Sequence, residues 1–419
     1  MNAGTLTGEF GSVTSDFAFL NPKLIYDYSA GTVAMELLRN DRDFAALART
    51  GNQTSLANAI ESIGFDAGHA VFDAIVQMAD APDDIRASFD ELTGEMHAST
   101  RTALIEDSRV VRDAANSRLR SASGRGGPTT TVAYGAGGEQ LAVDADHSGL
   151  AFWTQAFGSW GSFDNHGATG QLDRQQAGMM VGGDVALGQW RVGAMGGFGD
   201  AEMQVERQKA TTSTQTLGLY AGTAWGKLGV RAALAQSWHD VDTRRSVIIS
   251  GLTDYNRAEY SAETRQAFAE ADYALVSGQK AQLQAFANVA HVRTDTDEVT
   301  ENGNATALVI DEAQTAVTFT GLGLRGVQQV VLGGSASSLR ASAAWRHASG
   351  DLAPLNRQAF SKGDAFTIAG GAIAEDSALI EAGMDVQFSD RTRFDLSYSG
   401  QLSGNAQDHG FNARLSISF

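Results

Sequence analysis

The sequence predicts an all-β membrane protein. It reads as an outer-membrane barrel of about 12 antiparallel strands with a lumen-spanning α-helix and an N-terminal segment of mixed β and helical character. Three observations carry this prediction. Apolar and polar residues alternate with period two over much of the last two thirds of the chain, up to Phe419 itself. Many alternating stretches reach roughly ten residues, the length that crosses a bilayer, whereas soluble strands commonly have about five or six. The connections between them alternate between long and tight.

Composition narrows the alternatives. Among 419 residues, Lys plus Arg total 31 and Asp plus Glu 49, a formal charge of −18. That balance excludes a general nucleic-acid binder, which needs a basic surface. The chain has no cysteine, so disulfides and thiolate metal sites are excluded. No stretch approaches the roughly 20 apolar residues of a membrane helix. The start, MNAGTLTGEFGSV, lacks a basic region and an apolar core and is not a signal peptide. The expectation is therefore the C-terminal part of a larger precursor, or an expression fragment.

The first third changes period along its length. Residues 5–38 are strand-like, with Phe17, Phe19, Leu24, Tyr26, Val33, Met35 and Leu37 as candidates for burial. From Asn40 onward the spacing is helical: Leu56, Ala59, Ile60 and Ile63, then Val71, Phe72, Ile75 and Val76. Pro82-Asp83-Asp84 starts a helix, because Pro suits the first turn and carboxylates suit the positive end of the helix dipole. A further helix spans residues 95–119. At ~1.5 Å per residue it is about 37 Å long, more than the hydrocarbon core. SASGRGGP then breaks it.

The barrel strands follow. In WRVGAMGGF, Trp190, Val192, Ala194 and Phe198 oppose Arg191; in KLGVRAALAQSW, Leu228, Val230, Ala232 and Leu234 oppose Arg231. In SALIEAGMDVQF, Ile380, Ala382, Met384, Val386 and Phe388 oppose Glu381, Asp385 and Gln387. In RTRFDLSYSGQL, Phe394, Leu396, Tyr398 and Leu402 oppose Arg393, Asp395, Ser397 and Gln401. A soluble sheet turns such an apolar face to a core, and an outer-membrane barrel turns it to lipid. Loop order separates the two. Links around 164–173, 200–213, 242–262, 295–311 and 349–375 are long; those at Gly188-Gln189, Trp225-Gly226-Lys227, Ser277-Gly278-Gln279 and Ser389-Asp390-Arg391 are tight, and the link near Gly333-Gly334 is shorter. Short periplasmic turns and long outer loops give this order, and a soluble sandwich has no reason for it. Closure of a barrel pairs the last strand with the first and leaves no edge. That accounts for a chain ending on Phe419, within the aromatic girdle.

The stretches WTQAFGSWG, LDRQQAGMMVGGDV and QWRVGAMGGFGD, together with EAGMDVQFSDRTRFDLSYSGQL and the ending ARLSISF, resemble the autotransporter β-domain. Upstream, LNPKLIYDYSAGTVAMELLRN, ALARTGNQTSLANAI, LTGEMHAS and IEDSRVVRDA are similar to the stretch that joins passenger to barrel in that family. The resemblance implies a translocator of type V secretion in the outer membrane of a Gram-negative bacterium, with its passenger on the cell surface. It implies that residues 1–40 end a β-helical passenger, 41–94 form a helical pre-barrel segment, 95–127 the linker helix, and 148–419 the barrel. Outer-membrane lipid, periplasmic chaperones, the barrel-assembly machinery and the chain's own passenger are the partners implied. Phe411, Leu415, Ile417 and Phe419 match the alternating part of the family's assembly signal, although the glycine placement differs, with Gly410 farther back and Arg414 nearer the end.

Topology gives the helix a place. An even-stranded barrel with long loops outside has both ends in the periplasm, so a passenger displayed outside reaches the first strand most directly through the lumen. The helix carries Arg109, Arg112, Arg118 and Arg120 against Asp113, and the lumen face carries Glu381, Asp385, Asp395 and Glu270. A basic helix in an acidic channel is electrostatically matched. The alternative is that these arginines form an ordinary solvated face.

Chemistry is sparse. Eight histidines are scattered, and there is no HExxH, GxSxG or phosphate-loop pattern. No catalytic, cofactor or metal residues are assigned. Some members of the family cut their linker helix at an asparagine pair; here only Asn116 stands in the helix, and a surface amide is the plainer reading. Three functions are thus weighed: a translocator, a porin-like channel with an acidic lumen, and an outer-membrane enzyme with a loop-borne site. The linker helix favours the first, and the lack of a clustered nucleophile and base disfavours the third.

Overall fold

The computed structural model describes residues 5–123, 130–134, 140–144, 150–163, 169–278, 280–333, 335–389 and 391–418. A hairpin of β1 (Leu20–Asp27) and β2 (Thr32–Arg39) comes first. Helices α1 (Gly51–Ile63), α2 (Ala70–Val76) and α3 (Pro82–Leu92) follow. The α1 start is a capping box: Thr50 Oγ1 accepts from Gln53 N at 3.1 Å, and the Gln53 side chain accepts from the Thr50 backbone. Helix α3 begins at Pro82 with Asp83 and Asp84 in its first turn, as the sequence predicts.

Helices α4 (Met96–Asp107) and α5 (Arg109–Ala122) come next. The single helix expected over residues 95–119 is therefore interrupted at Ser108 and runs slightly longer. Ser108 Oγ donates back to Ile105 O at 2.6 Å, which locally competes with the helical ladder, while Ser108 N still reaches Leu104 O. The expectation of strand over residues 5–38 holds only from Leu20, since residues 5–16 carry no regular element.

Strands β3 (Thr130–Tyr134) and β4 (Gln140–Asp144) pair as a separate hairpin. The barrel then starts with β5 (Leu150–Phe163), β6 (Leu172–Leu187), β7 (Trp190–Val205), β8 (Gln208–Trp225), β9 (Leu228–Ile249), β10 (Leu252–Ser277) and β11 (Ala281–Thr296). Short strands β12 (Val299–Thr300) and β13 (Val309–Ile310) precede β14 (Ala313–Leu332) and β15 (Ser335–Gly350). β16 (Leu355–Ala359) and β17 (Phe366–Ala369) precede β18 (Asp376–Gln387), β19 (Thr392–Leu402) and β20 (Ala406–Ser418). Twelve of these strands, all antiparallel to their neighbours, form the closed barrel, sealed by β20 on β5 from Ala406↔Phe163 to Ser418↔Ala151. Phe411, Leu415 and Ile417 face outward on that last strand. Phe419 lies outside the described residues.

The lipid-facing wall is apolar and bounded by aromatics. Trp190 and Trp225 meet edge to face at 5.8 Å near the tight turns, where Gly188 and Gly226 supply the positive φ. Trp160, Trp238 and Trp345 are exposed toward the other rim. Two outer links read from the sequence as long are instead strand. β7–β8 turns at Glu206-Arg207 and β9–β10 at Ser250-Gly251, so these hairpins project beyond the membrane. They do so because their inward side chains continue to find a core: Val247, Ile249 and Ala258 of β9–β10 are buried with Phe19, Phe44, Leu56 and Phe72 of the N-terminal segment, and Met203, Val205 and Ala210 of β7–β8 with Met96 and Leu104 of α4. A four-stranded sheet in the order β12-β13-β16-β17 completes this outer cap.

Candidate functional site

The site is the lumen and the helices inside it. At the outer end, Met96 N donates to Gln208 Oε1, and His97 Nε2 lies 3.0 Å from Glu301 Oε1 in an outer loop. At the other end, Arg118 meets Asp184 near the β6–β7 turn, and Arg393 beside the β18–β19 turn donates to Ser121 Oγ. The helix pair thus runs from outside to periplasm, about 40 Å at ~1.5 Å per residue.

Residues Met96 to Glu106 of α4 are all buried, so every polar group there needs a partner. Arg101 finds neutral acceptors: Thr315 Oγ1 at 2.9 Å, Leu355 O at 2.7 Å, Asn356 Oδ1 and Thr296 Oγ1. Glu106 and Arg346 form a bidentate pair at 2.9 Å on both arms. Asp107 pairs with Arg174, which also pairs with Asp408. Lower down, Val111, Ala114, Ala115 and Leu119 pack on the wall residues Met180, Met195, Ala233 and Ala235. Helix α5 is thereby apolar on one side and charged on the other.

Of the acids expected from the sequence, the charged side meets only Glu270. Arg109 pairs with Asp408 at 2.9 Å and Asp113 at 3.7 Å; Arg118 pairs with Asp184 at 2.6 Å; Arg120 pairs with Glu270 at 3.5 Å. Arg112 has Ser108 Oγ and Gln266 Oε1 as acceptors and lies over the Phe319 ring. Glu381 and Asp395 are taken by Arg340 on the wall, and Arg414 adds a further contact to Asp395 at 3.5 Å. Asp385 sits directly opposite Asp395 on β19, with no ion pair to α5. The physical reason is that the lumen wall is not simply acidic. Arg174, Arg231, Arg325, Arg340, Arg346 and Arg414 point inward beside the carboxylates, and wall acids are neutralised by wall arginines first. Glu270, for example, accepts from Arg231 at 3.0 Å and Arg325 at 3.4 Å as well as from Arg120.

Sequence reasoning missed Arg101, Glu106, Asp107 and Asp184. The inward face of β6 could have revealed Asp184, which alternates with Gly182 and Arg174. Asn116 is buried on α5 and lines a cavity of about 120 Å³ with Arg112, Arg120, Glu270 and Glu381. His239 faces the lumen between Thr214 Oγ1 at 2.8 Å and Thr264 Oγ1 at 3.0 Å.

Above the membrane, Glu95 and Glu301 are among the carboxylates shifted from their ordinary range. Burial pushes Glu95, at the outer start of α4, up to about 8 against the opposing hydrogen bond from Gly170 N. Burial also acts to raise Glu301, but Arg245 and the His97 contact hold it at about 2. At the exposed outer rim, His347, Glu375 and Asp376 bring one ligand atom each within 4.8 Å of one another. Asp376 there already accepts from Trp345 Nε1 at 2.9 Å.

Known proteins resolve what such a filled, closed barrel is. Residues 152–399 match the autotransporter β-domain family. The chain belongs to the autotransporter β-domain family. The fold agrees: the barrel is similar to the translocator domain of autotransporter NalP from Neisseria meningitidis, with TM-score 0.55, 16% identity, 76% of this chain and 99% of that one covered. It is also similar to the β-domain of the Bordetella autotransporter BrkA, with TM-score 0.50, 16% identity, 65% of this chain and 100% of that one covered. An extracellular serine protease of Serratia marcescens is 30% identical over 99% of this chain, and the chain spans 42% of that relative's length. As an autotransporter β-domain, the protein is an outer-membrane translocator that anchors and exports a passenger to the Gram-negative cell surface. The part matched is the translocator domain and not a passenger enzyme.

Proposed function

We propose that the chain passes its own N-terminal part outward through the barrel and retains the last exported stretch, residues 95–127, in the pore as a plug. The direction of α4 and α5 is the observation that carries this reading: their N-terminal end meets the outer loops and their C-terminal end the periplasmic turns. Residues 1–40 then belong to the end of the passenger, 41–94 to a pre-barrel segment held outside, and 148–419 to the barrel. An occupied lumen with paired charges counts against a freely conducting porin. The barrel-assembly machinery and periplasmic chaperones are the proposed assembly partners, recognising the outward face of Phe411, Leu415 and Ile417 with the terminal Phe419. By similarity to the Serratia marcescens relative, the proposed passenger is a serine-type peptidase. Asn116 is retained as a candidate processing position, because its Oδ1 is buried without a partner among the described residues and its cavity contains charged groups.

The test uses the absence of native cysteine. Ser29, exposed in the β1–β2 turn, is changed to Cys in the full chain, and intact cells are treated with a membrane-impermeant maleimide. Labelling of intact cells is expected. Labelling only after the outer membrane is opened would refute export of the N-terminal segment.

A further inference from the structure

The outer cap has one apolar core made from two distant parts of the chain. Phe19, Leu56 and Phe89 of the N-terminal segment are fully buried against Val247, Leu308 and Ile368 of the outer hairpins and loops. Neither part closes this core alone. Polar contacts fix the docking at two places. On one side, the Asn52 side chain exchanges two 2.8 Å hydrogen bonds with the Ala369 backbone, as a neighbouring strand would. Ser55 Oγ accepts from Thr367 N at 3.0 Å and Ser62 Oγ from Asp364 N at 2.7 Å. Helix α1 thus covers the open edge of β17, whose backbone groups would otherwise be left unpaired. On the other side, Glu91 accepts from Ile248 N and Arg207 Nη1, both at 2.7 Å. Among the described residues, backbone hydrogen bonding to the cap begins at Asp16–Ala18, where Asp16 O accepts from Asp80 N and Ala18 N donates to Met78 O; upstream, Phe10 N donates to Tyr26 OH and Glu9 accepts from Tyr28 OH on the exposed hairpin. Residues before Asp16 are largely exposed.

We propose that the outer hairpins serve as a receptor for residues 17–94 and form a second, non-covalent anchor for whatever precedes them. The proposal rests on the export reading above. The peptide bond through the pore is then not what holds the passenger. A cut within or after the lumen helices leaves the N-terminal part attached, and release requires a cut in the exposed stretch before Phe17. The same docking opposes backward sliding of the chain, because sliding would have to pull the cap apart.

A site-specific protease sequence inserted after Ser123 in the full chain tests this. The purified protein in detergent is cut, and co-elution of the N-terminal fragment with the barrel is followed against urea. Co-elution without denaturant is expected. In the variant N52A/S55A/S62A, the fraction retained at the wild-type midpoint should fall about tenfold or more, as loss of four hydrogen bonds implies. The barrel's heat-modifiable band should be unchanged. N52D, which keeps the acceptor for Ala369 N and loses the donor, should lie between the two. Dissociation of the wild-type fragment in plain buffer, or equal midpoints for all three proteins, would overturn the proposal. Failure of export would appear instead as lost surface labelling at position 29, whatever the retention.

Discussion

Arg118 is the most informative single contact between plug and wall. Its Nε and Nη2 reach the two Asp184 oxygens at 2.6 and 2.7 Å, and the side chains are 6% and 0% exposed. Asp184 also accepts from Arg191 Nε at 2.5 Å and Tyr220 OH at 2.8 Å, and Tyr220 in turn accepts from Trp153 Nε1. Loss of one partner from a buried pair generally costs about 3–5 kcal/mol because the other charge is stranded. Here Asp184 keeps two donors, so Arg118→Ala should cost less, about 1–3 kcal/mol. At about 1.4 kcal/mol per factor of ten, the displaced-helix population should rise roughly 10–100-fold. Arg118→Lys retains charge without the planar fork and should fall between wild type and Ala. Arg118→Glu adds repulsion and should exceed Ala. The assay is the open fraction of single barrels in planar bilayers. If Ala and Glu both match wild type, α5 is not held by this pair.

Other consequences are equally direct. Removal of Ile417, Ser418 and Phe419 shortens the β20–β5 seam and exposes strand edge to lipid at several kcal/mol per backbone group. Wild-type amounts of heat-modifiable barrel in the outer membrane would contradict this. Glu95 has a folded pKa near 8, above its unfolded value, so the native state binds the extra proton. The stability from this group is complete below the unfolded pKa and is lost as pH rises through about 8. Glu95→Gln should therefore flatten the loss of cap stability between pH 5 and roughly 8.5, measured as urea resistance of the cap to proteolysis; an unchanged pH slope would refute the assignment.

The barrel was legible because a lipid-facing strand must alternate for its whole length, and register follows from a period of two. The outward sets at Trp190, Leu234, Ile380 and Leu396 are exposed in the structure as their alternation implies. Helix starts at Thr50 and Pro82 were similarly local, although only Pro82 was read in advance. Of the charge pairing, only the contact of the basic helix with Glu270 was legible. Periodicity puts Glu381, Asp395 and Arg340 on the inner face but cannot say that Arg340 pairs with both acids, one on the neighbouring strand and one on the strand beyond. The cap was hidden for another reason. Its core joins Leu56 to Ile368, and a pattern read along the chain does not show which distant faces share a core. The outer hairpins read as loops in the sequence because no lipid demands their alternation; the cap does.

The central claim is that the lumen is closed by residues of the chain's own linker. It is tested by comparing single-channel conductance of the full chain with that of a chain beginning at residue 126, which lacks both lumen helices. The shorter chain should form a conducting pore and the full chain a largely closed one. Equal conductance would place α4 and α5 outside the pore and contradict it.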